Sequence, residues 1–478
     1  MKKTIILILA CVCIATSANA QRGSGRLSLS VGLLYKNGMD VVRLNTAHME
    51  IADMDRIVAL VRKVSDKLAI MVDTKGPNIR TFNLDAPLTL KIGDKLDLTG
   101  ETVPQEKAVQ VNYSKFTAEV PVGARIIFDD GAMELLVLGK SGGLLHCEAK
   151  RDGELKNHKS VNVPGAELKM PALTRKDRDF IEYAVKNDLD FIAHSFVRSA
   201  NDVLAVRSIL DTGDSDIRII AKIENRQGVD NLDEILKAAD GVMVARGDLG
   251  IEIPLEEVPL IQKKLIRACM AAGKSVITAT QMLQSMENSP LPTRAEINDV
   301  ANAVYDGTDA VMLSGETAEG VYPVEAVSVM SRILEETEKS PDYYFTRVRE
   351  QISDSDENSA FLIHSAVEAA ERLPVRAIVC NTASGLSARL CAAYRPRKPI
   401  FAFSYNPGVV RQLSLTYGVY AGYNAFAEDV IDLTRQTCRT LIEEKRLAPD
   451  DKVAMLAKNS QSMERNNLFC LGAVKDFI

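Results

Sequence analysis

The sequence predicts an α/β protein whose main domain is a (β/α)8 barrel of the TIM type. It also predicts an inserted small β-barrel that acts as a lid and a C-terminal α/β domain. Seven short apolar runs stop abruptly in polar residues, which is typical of buried parallel strands whose ends carry function. From residue 191 onward, helical patterns separate these runs, as expected for βαβ units. Between the second and third runs lies a stretch of short alternating segments and Gly-containing turns, which indicates a small all-β insertion.

The apolar runs define the order of the barrel strands. They cover residues 41–45, 69–75, 191–195, 219–225, 242–248, 276–281 and 310–316. Helical patterns follow at 232–239, 258–272 and 295–305. Because the active site of such a barrel lies at the carboxyl ends of its strands, the polar residues that end these runs are predicted to meet there. A doubly wound sheet with incidental polar caps is the alternative interpretation.

Changes in the hydrophobic pattern along the chain indicate the domain limits. The barrel is expected over 30–75 and 172–343, the lid over 76–171, and the C-terminal domain over 357–478, after a polar, acidic linker. Thr293 and Glu296 form a capping box that predicts a helix start after Pro292.

Residues 1–29 form an atypical N-terminal segment. Two lysines, an apolar stretch over 5–15 and Ala18-Asn19-Ala20 match the three regions of a secretory signal. The other interpretation is a disturbed gene start. In both cases the first barrel strand is expected to be atypical or missing. A barrel of seven strands would leave open edges, whereas a retained 5–15 segment is apolar enough to fill the gap.

Composition excludes several classes of protein. The 478 residues are 46% hydrophobic and 26% charged, which is typical of a globular protein with a large core. The net charge is −6 and there is no basic tract, so nucleic acid is not expected as a partner. The N-terminal apolar stretch is too short to span a bilayer, and no membrane partner is expected. Six cysteines beyond residue 20 are scattered without a zinc-type or disulfide pattern.

Two strand ends carry the most chemistry. Lys222 and Glu224 share one face of their strand because side chains alternate. Asp248 ends the neighbouring run. Two carboxylates on adjacent strands beside a lysine can hold a divalent cation and an anionic substrate together. A structural ion pair between Lys222 and Glu224 is the other interpretation.

These residues belong to seven ordered segments that resemble pyruvate kinase. Between about residues 32 and 460, the segments follow the order of that family, at 38–48, 73–81, 222–225, 245–252, 279–286, 292–296 and 312–318. The resemblance implies transfer of a phosphoryl group from phosphoenolpyruvate to ADP, giving ATP and pyruvate. It also implies a homotetramer in the cytoplasm.

The resemblance also implies roles for individual residues. Catalysis is expected from Lys222, Arg43 and Thr280, and substrate binding from the same three with Gly247 and Asp248. Glu224 and Asp248 are expected to bind Mg²⁺ or Mn²⁺, and Asn45, Asp73 and Thr74 to bind K⁺. The expected nucleotide contacts are Asn45, His48, Arg80 and Lys159. Arg43 suits phosphate as a planar, permanent cation, although a simple salt bridge to Asp73 is the alternative.

Two departures from the family pattern bear on its cofactors and effectors. The family's K⁺ site uses Asn-x-Ser, but Asn45 is followed by Thr46 and Ala47, so K⁺ binding is expected to be weakened. Residues 382–389 resemble an effector-phosphate loop. The Gly-rich final loop of bisphosphate-activated members is replaced by residues 461–467, which argues against activation by fructose 1,6-bisphosphate.

Two other functions remain open from the sequence. A barrel lyase that stabilises a metal enolate would use the same carboxylates without a nucleotide. A catalytically impaired or exported pyruvate-kinase-like paralogue would keep the fold and lose the reaction. The intact core residues and the lid favour the kinase, whereas the N-terminal segment favours an exported form.

Overall fold

A computed structural model describes residues 5–9, 31–100, 108–340, 357–457 and 468–478. Its strands in chain order are β1 (Ile5–Leu9), β2 (Val41–Asn45), β3 (Ala69–Asp73), β4 (Thr81–Phe82), β5 (Leu88–Leu90), β6 (Lys95–Thr99), β7 (Ala108–Val111), β8 (Arg125–Phe128), β9 (Met133–Ser141), β10 (Leu144–Ala149), β11 (Gly153–Leu155), β12 (Val161–Asn162), β13 (Phe191–His194), β14 (Arg218–Ile223), β15 (Gly241–Ala245), β16 (Ser275–Ala279), β17 (Ala310–Leu313), β18 (Ala377–Asn381), β19 (Ile400–Ser404), β20 (Val419–Tyr423), β21 (Lys452–Ala457) and β22 (Leu468–Ala473).

The α-helices lie mainly between these strands. They are α1 (Ile51–Val64), α2 (Phe116–Glu119), α3 (Arg175–Lys186), α4 (Ala200–Thr212), α5 (Arg226–Asp230), α6 (Leu232–Ala238), α7 (Arg246–Glu252), α8 (Val258–Ala271), α9 (Arg294–Asp306), α10 (Gly315–Ala318), α11 (Pro323–Thr337), α12 (Glu357–Arg372), α13 (Leu386–Ala393), α14 (Pro407–Leu413) and α15 (Val430–Glu443). Residues 31–36 are also helical. No helix in the described part of the chain is long and apolar enough to cross a membrane.

The predicted barrel is confirmed as a closed, parallel, eight-stranded sheet in the order β1-β17-β16-β15-β14-β13-β3-β2. All seven apolar runs form its strands. Its interior is filled by residues such as Met71, Phe191, Met243 and Ile277, and Leu415 of the C-terminal domain belongs to the same cluster. A second, larger apolar cluster lies between the strands and the surrounding helices. The predicted capping box at Thr293 and Glu296 opens α9.

The first barrel strand is Ile5–Leu9. It pairs in parallel with β17 on one side and with β2 on the other, with Ile5 opposite Ala310 and Leu7 opposite Val41. This apolar pentapeptide therefore closes the gap that the sequence left open, although it lacks the polar end of the other strands. The secretory-signal interpretation falls mostly on residues 1–4 and 10–30, which lie outside the described residues.

The lid is inserted after the third barrel strand, as predicted. It contains a seven-stranded sheet in the order β12-β8-β9-β10-β6-β7-β4 and a two-stranded sheet of β5 and β11. A bridge between Arg80 and Ser160 joins the two ends of the larger sheet. Backbone bonds from Thr81 to Lys159 and from Val161 to Ile79 extend this closure. The core contains Phe116, Phe128 and Leu135 among other residues.

The C-terminal domain is a five-stranded sheet in the order β20-β19-β18-β21-β22. The first four strands are parallel, and β22 runs antiparallel along the edge. Apolar clusters cover both of its faces. The domain is joined to the barrel by buried ion pairs, including Arg411 with Asp190 and Arg395 with Asp309.

Candidate active site

Side-chain alternation places the predicted site residues on the inner face of the barrel, at the carboxyl ends of its strands. On β2, Val41 belongs to the interior cluster, so Arg43 and Asn45 share that face. On β14, Ile220 belongs to the same cluster, so Lys222 also lies on the interior face. The register sets Asn45 opposite Asp73 on the adjacent strand. The local strand pattern therefore brings the charged residues together above the apolar interior.

Four of these residues form one buried ionic cluster. Arg43 Nε lies 2.5 Å from Asp73 Oδ2. Lys222 Nζ lies 3.2 Å from Asp73 Oδ1 and 2.9 Å from Glu224 Oε1. The exposed fractions are 7% for Arg43, 8% for Lys222 and 1% for both carboxylate residues. The salt bridge considered as an alternative for Arg43 is present, and so is the Lys222–Glu224 pair.

The protonation equilibria of the cluster reflect burial and mutual charge. Burial alone would raise the pKa of Asp73, but Arg43 and Lys222 offset this effect and lower it. Burial would lower the pKa of Lys222, but the two carboxylates beside it raise it instead. The lysine is therefore cationic at neutral pH. The pKa of Glu224 is raised, chiefly by burial and further by the charge of Asp248, despite the neighbouring lysine.

Asp248 faces this cluster from the first turn of α7. Burial raises its pKa, and the carboxylates of Asp130 and Asp73 raise it further. Two carboxylates with raised pKa values on adjacent elements fit a divalent cation, whose charge would stabilise their ionised forms. Among the residues described, no group of three or more His, Cys, Asp or Glu residues could hold a metal. Such a two-carboxylate site suits Mg²⁺, which takes its remaining ligands from water and substrate phosphates.

Thr280 lies beside α7. Its Oγ1 accepts a hydrogen bond of 2.9 Å from the Gly247 N–H. Thr280 and Gln281 have φ values of 68° and 55°, in the left-handed region that non-glycine residues rarely adopt. Arg246 donates to the Thr280 carbonyl and pairs with Asp299 at 2.8 Å, which holds this backbone in place. Unfavourable backbone angles of this kind concentrate at functional sites.

The two predicted nucleotide contacts of the lid, Arg80 and Lys159, lie where the two ends of its larger sheet meet. Arg80 Nη1 donates to the His158 carbonyl at 2.6 Å, and Lys159 Nζ pairs with Asp129 at 2.8 Å. Asp129 belongs to the 3-10 turn Asp129–Gly131, which lies against α7. Lys159 is therefore bound to a lid turn that contacts the helix carrying Asp248.

The predicted K⁺ ligands are close together but already have partners. Asn45 Oδ1 accepts from the Ala47 N–H at 3.1 Å and caps the 3-10 turn Thr46–His48. Thr74 Oγ1 accepts from the Ser195 N–H at 3.0 Å. The Thr46 hydroxyl is buried and donates to the Asp73 carbonyl at 2.9 Å.

Sequence reasoning missed two residues that complete the site. Ser195 Oγ lies 2.8 Å from Lys222 Nζ and donates to the Thr74 carbonyl at 2.6 Å. Its position at the polar end of an apolar run was the available signal. Arg246 was given no role from the sequence, and its contact with Thr280 joins two strand ends that are 34 residues apart in the chain.

Comparison with known proteins assigns this architecture to a family. Family models described as "Pyruvate kinase, barrel domain" and "Pyruvate kinase, alpha/beta domain" match residues 19–327 and 361–470. The chain belongs to the pyruvate kinase family. It is 45% identical over 389 residues to the pyruvate kinase of Borreliella burgdorferi, covering 81% of each chain. It is 48% identical over 400 residues to that of Geobacillus stearothermophilus, covering 81% of this chain and 68% of the relative.

A solved pyruvate kinase has the same fold. The crystal structure of a pyruvate kinase from Cryptosporidium parvum matches with a TM-score of 0.90 and 34% sequence identity, covering 99% of this chain and 96% of that one. Pyruvate kinases are phosphotransferases, and this chain is an enzyme of that class. The family resemblance found in seven sequence segments is therefore confirmed, and the comparisons give no support to the alternative of an impaired or exported paralogue.

Proposed function

We propose that the chain transfers the phosphoryl group of phosphoenolpyruvate to ADP through the cluster of Arg43, Asp73, Lys222 and Glu224. The main supporting observation is that a cationic lysine is held between two buried carboxylates at the ends of parallel strands. Phosphoryl transfer depends mostly on positioning and charge neutralisation, which this arrangement supplies. The lysine and Arg43 stand where an anionic substrate would be held, in surroundings that exclude water and strengthen electrostatic interactions.

Glu224 and Asp248 are the proposed ligands of Mg²⁺ or Mn²⁺, which would neutralise charge on the transferring group. Lys222 would contact the phosphoryl oxygens and the developing enolate. Thr280 would stand near the enolate carbon, where a proton arrives after transfer. The Gly247 N–H donates to Thr280 Oγ1 in this structure, and it would donate to the substrate carboxylate instead when substrate is bound.

Arg80 and Lys159 of the lid, with Asn45 and His48 of the barrel, are the proposed nucleotide contacts. Asn45, Asp73 and Thr74 are the proposed K⁺ ligands. Because Asp73 is shared by two cationic side chains and one hydroxyl ligand is missing, K⁺ should stimulate activity less steeply than in a complete site.

The reaction itself is tested by mixing the purified protein with phosphoenolpyruvate, Mg²⁺ and K⁺, with and without ADP. We expect pyruvate and ATP in equal amounts, only when ADP is present. Pyruvate or another enolate product formed at the same rate without ADP would favour the lyase. No turnover in either mixture, with the protein folded, would favour the impaired paralogue.

We also propose that the chain forms a homotetramer through two separate surfaces. One carries exposed leucines on the barrel side, including Leu255, Leu260 and Leu291, which are 72%, 69% and 68% exposed. The other is β22, the edge strand of the C-terminal sheet among the described residues, with Leu471 48% exposed. An edge strand of this kind can pair with a second copy. Two self-complementary surfaces on one subunit give a closed tetramer. Light scattering should return a tetramer, and arginine at Leu471 should reduce it to a dimer.

Cytoplasmic location is proposed from the substrates, since ADP and phosphoenolpyruvate are cytoplasmic metabolites. Cell fractionation combined with the mass of the mature N-terminus tests it directly.

A further inference from the structure

The lid is attached to the barrel at two places where the chain crosses, one held by the buried side chain of Asp177 and the other by the partly buried side chain of Arg198. At the entry, Asp177 Oδ1 accepts from the backbone N–H groups of Lys75 and Gly76, at 2.9 and 3.3 Å. At the exit, Arg198 donates to the carbonyls of Leu168 and Met170, at 3.0 and 2.9 Å. These contacts fix the two crossings, but two adjacent crossings alone leave the tilt of the lid free.

A third contact between lid and barrel joins residues outside the two crossing segments, at a cavity that Leu168 and Arg198 of the exit crossing also line. Asn162 Nδ2, at the end of β12 in the lid, donates to Glu252 Oε1 on the barrel at 2.8 Å. Asn162 and Glu252 both line a cavity of about 90 Å³ between the lid and the barrel, together with Pro77 and Phe196. Because the joint contains this space rather than continuous packing, a directional hydrogen bond across it has more influence on the lid angle than apolar contact has.

The barrel partner in this contact is placed on the site helix. Glu252 is the last residue of α7, whose first turn supplies Gly247 and Asp248. Burial raises the pKa of Glu252, and the hydrogen bond from Asn162 opposes that shift. The same helix meets the lid turn Asp129–Gly131, which binds Lys159. A change of lid tilt would therefore move Lys159 relative to Asp248.

We propose that Glu252 is a positioning residue, which with Asn162 sets the angle of the lid over α7 and so places the lid cations against the metal site. Neither residue touches the reacting groups. The proposal rests on the proposed reaction, and it goes beyond it by assigning a role to a residue of the 245–252 segment that the chemistry does not use.

The test compares Asn162→Ala, Glu252→Ala, Glu252→Gln and the double alanine variant with the unaltered chain. Loss of one intramolecular hydrogen bond shifts a two-state equilibrium on the order of fivefold. We expect each alanine variant to raise KM for ADP by about that factor, with a smaller effect on KM for phosphoenolpyruvate. Glu252→Gln keeps the acceptor oxygen and should behave like the unaltered chain. The double variant should be no worse than either single one.

Asn157→Ala is the matched control, because Asn157 bonds the Leu84 backbone within the lid. It should lower thermal stability without changing KM for ADP. Hydrogen exchange in the absence of substrates gives a readout that does not depend on the reaction. Faster exchange at α7 and β12 in both Asn162→Ala and Glu252→Ala supports the proposal. Additive kinetic losses, Glu252→Gln as poor as Glu252→Ala, or alanine variants that lose stability but keep KM for ADP would each overturn it.

Discussion

Substitution of Lys222 by methionine tests the proposed site most directly. The change keeps the length of the side chain and removes the ammonium group that lies between Asp73, Glu224 and Ser195. The cluster then holds three buried or half-buried carboxylates, with Asp248 as the third, and only Arg43 remains to oppose them. The substitution should affect both stability and turnover, and the two effects can be separated.

The expected sizes follow from the burial of the cluster. Removing one partner from a buried ion pair costs about 3–5 kcal/mol of stability. The lower end is expected here, because Glu224 already has a raised pKa and can take up a proton instead of remaining an unpaired charge. For catalysis, the loss of one donor aimed at developing charge lowers kcat by about 10²–10³, or roughly 2.7–4 kcal/mol.

The assay is ADP-dependent pyruvate formation at saturating phosphoenolpyruvate, with thermal unfolding measured on the same samples. Lys274→Met is the matched control, since that lysine is also partly buried but bonds the Leu236 and Ala239 carbonyls far from the site. It should lose stability and keep kcat. A fall in kcat of less than about tenfold for Lys222→Met, equivalent to roughly 1.4 kcal/mol, would show that the lysine is structural and refute the proposed role.

Four further outcomes are expected. Asp248→Asn should raise the Mg²⁺ requirement and lower turnover by orders of magnitude, and near-normal activity at low Mg²⁺ would remove Asp248 from the metal site. Ala47→Ser should restore the hydroxyl that the family's K⁺ site uses and lower the K⁺ concentration for half-maximal activity, whereas an unchanged K⁺ titration would contradict the proposed ligand set. Fructose 1,6-bisphosphate should not shift the phosphoenolpyruvate saturation curve, because the sequence lacks the family's Gly-rich final loop. In the loop 382–389, the Ser384 carbonyl already accepts hydrogen bonds from Arg218 and Arg389. A clear leftward shift of the curve would refute this prediction. A chain that begins at Gln21 lacks β1 and exposes the edges of β2 and β17, so it should be poorly soluble. Adding a Thr-Lys-Ile-Val-x-Thr-Ile strand in front of it should restore solubility. An active, soluble protein that begins at Gln21 would contradict the role of β1.

The sequence was informative where structure depends on local pattern. Apolar runs with charged ends predicted seven barrel strands, and side-chain alternation predicted that Lys222 and Glu224 lie together. The first strand was ambiguous because Ile5–Leu9 is uniformly apolar, and the same composition suits a signal segment and a buried strand. The pairing of Ile5–Leu9 with β17 and β2 depends on residues far along the chain, so local composition could not predict it.

Contacts between distant segments were beyond local reasoning. Ser195 reaches Lys222, Arg246 reaches Thr280, and Asn162 reaches Glu252, and each pair combines elements whose relative position is set by the whole barrel or by the lid. The left-handed backbone at Thr280 was equally invisible, because threonine does not favour that conformation and only tertiary contacts maintain it.

The ionic cluster has a consequence for the order in which ligands can be accommodated. With Asp248, it contains two cationic side chains and three carboxylates, so one negative charge is in formal excess. Phosphoenolpyruvate brings about three negative charges, and one divalent with one monovalent cation brings three positive charges, so the complete set leaves the charge of the site unchanged. Substrate without the cations would add about three negative charges to a water-poor pocket that already holds one in formal excess, which is costly. Substrate and both cations should therefore strengthen one another's binding by reciprocal linkage.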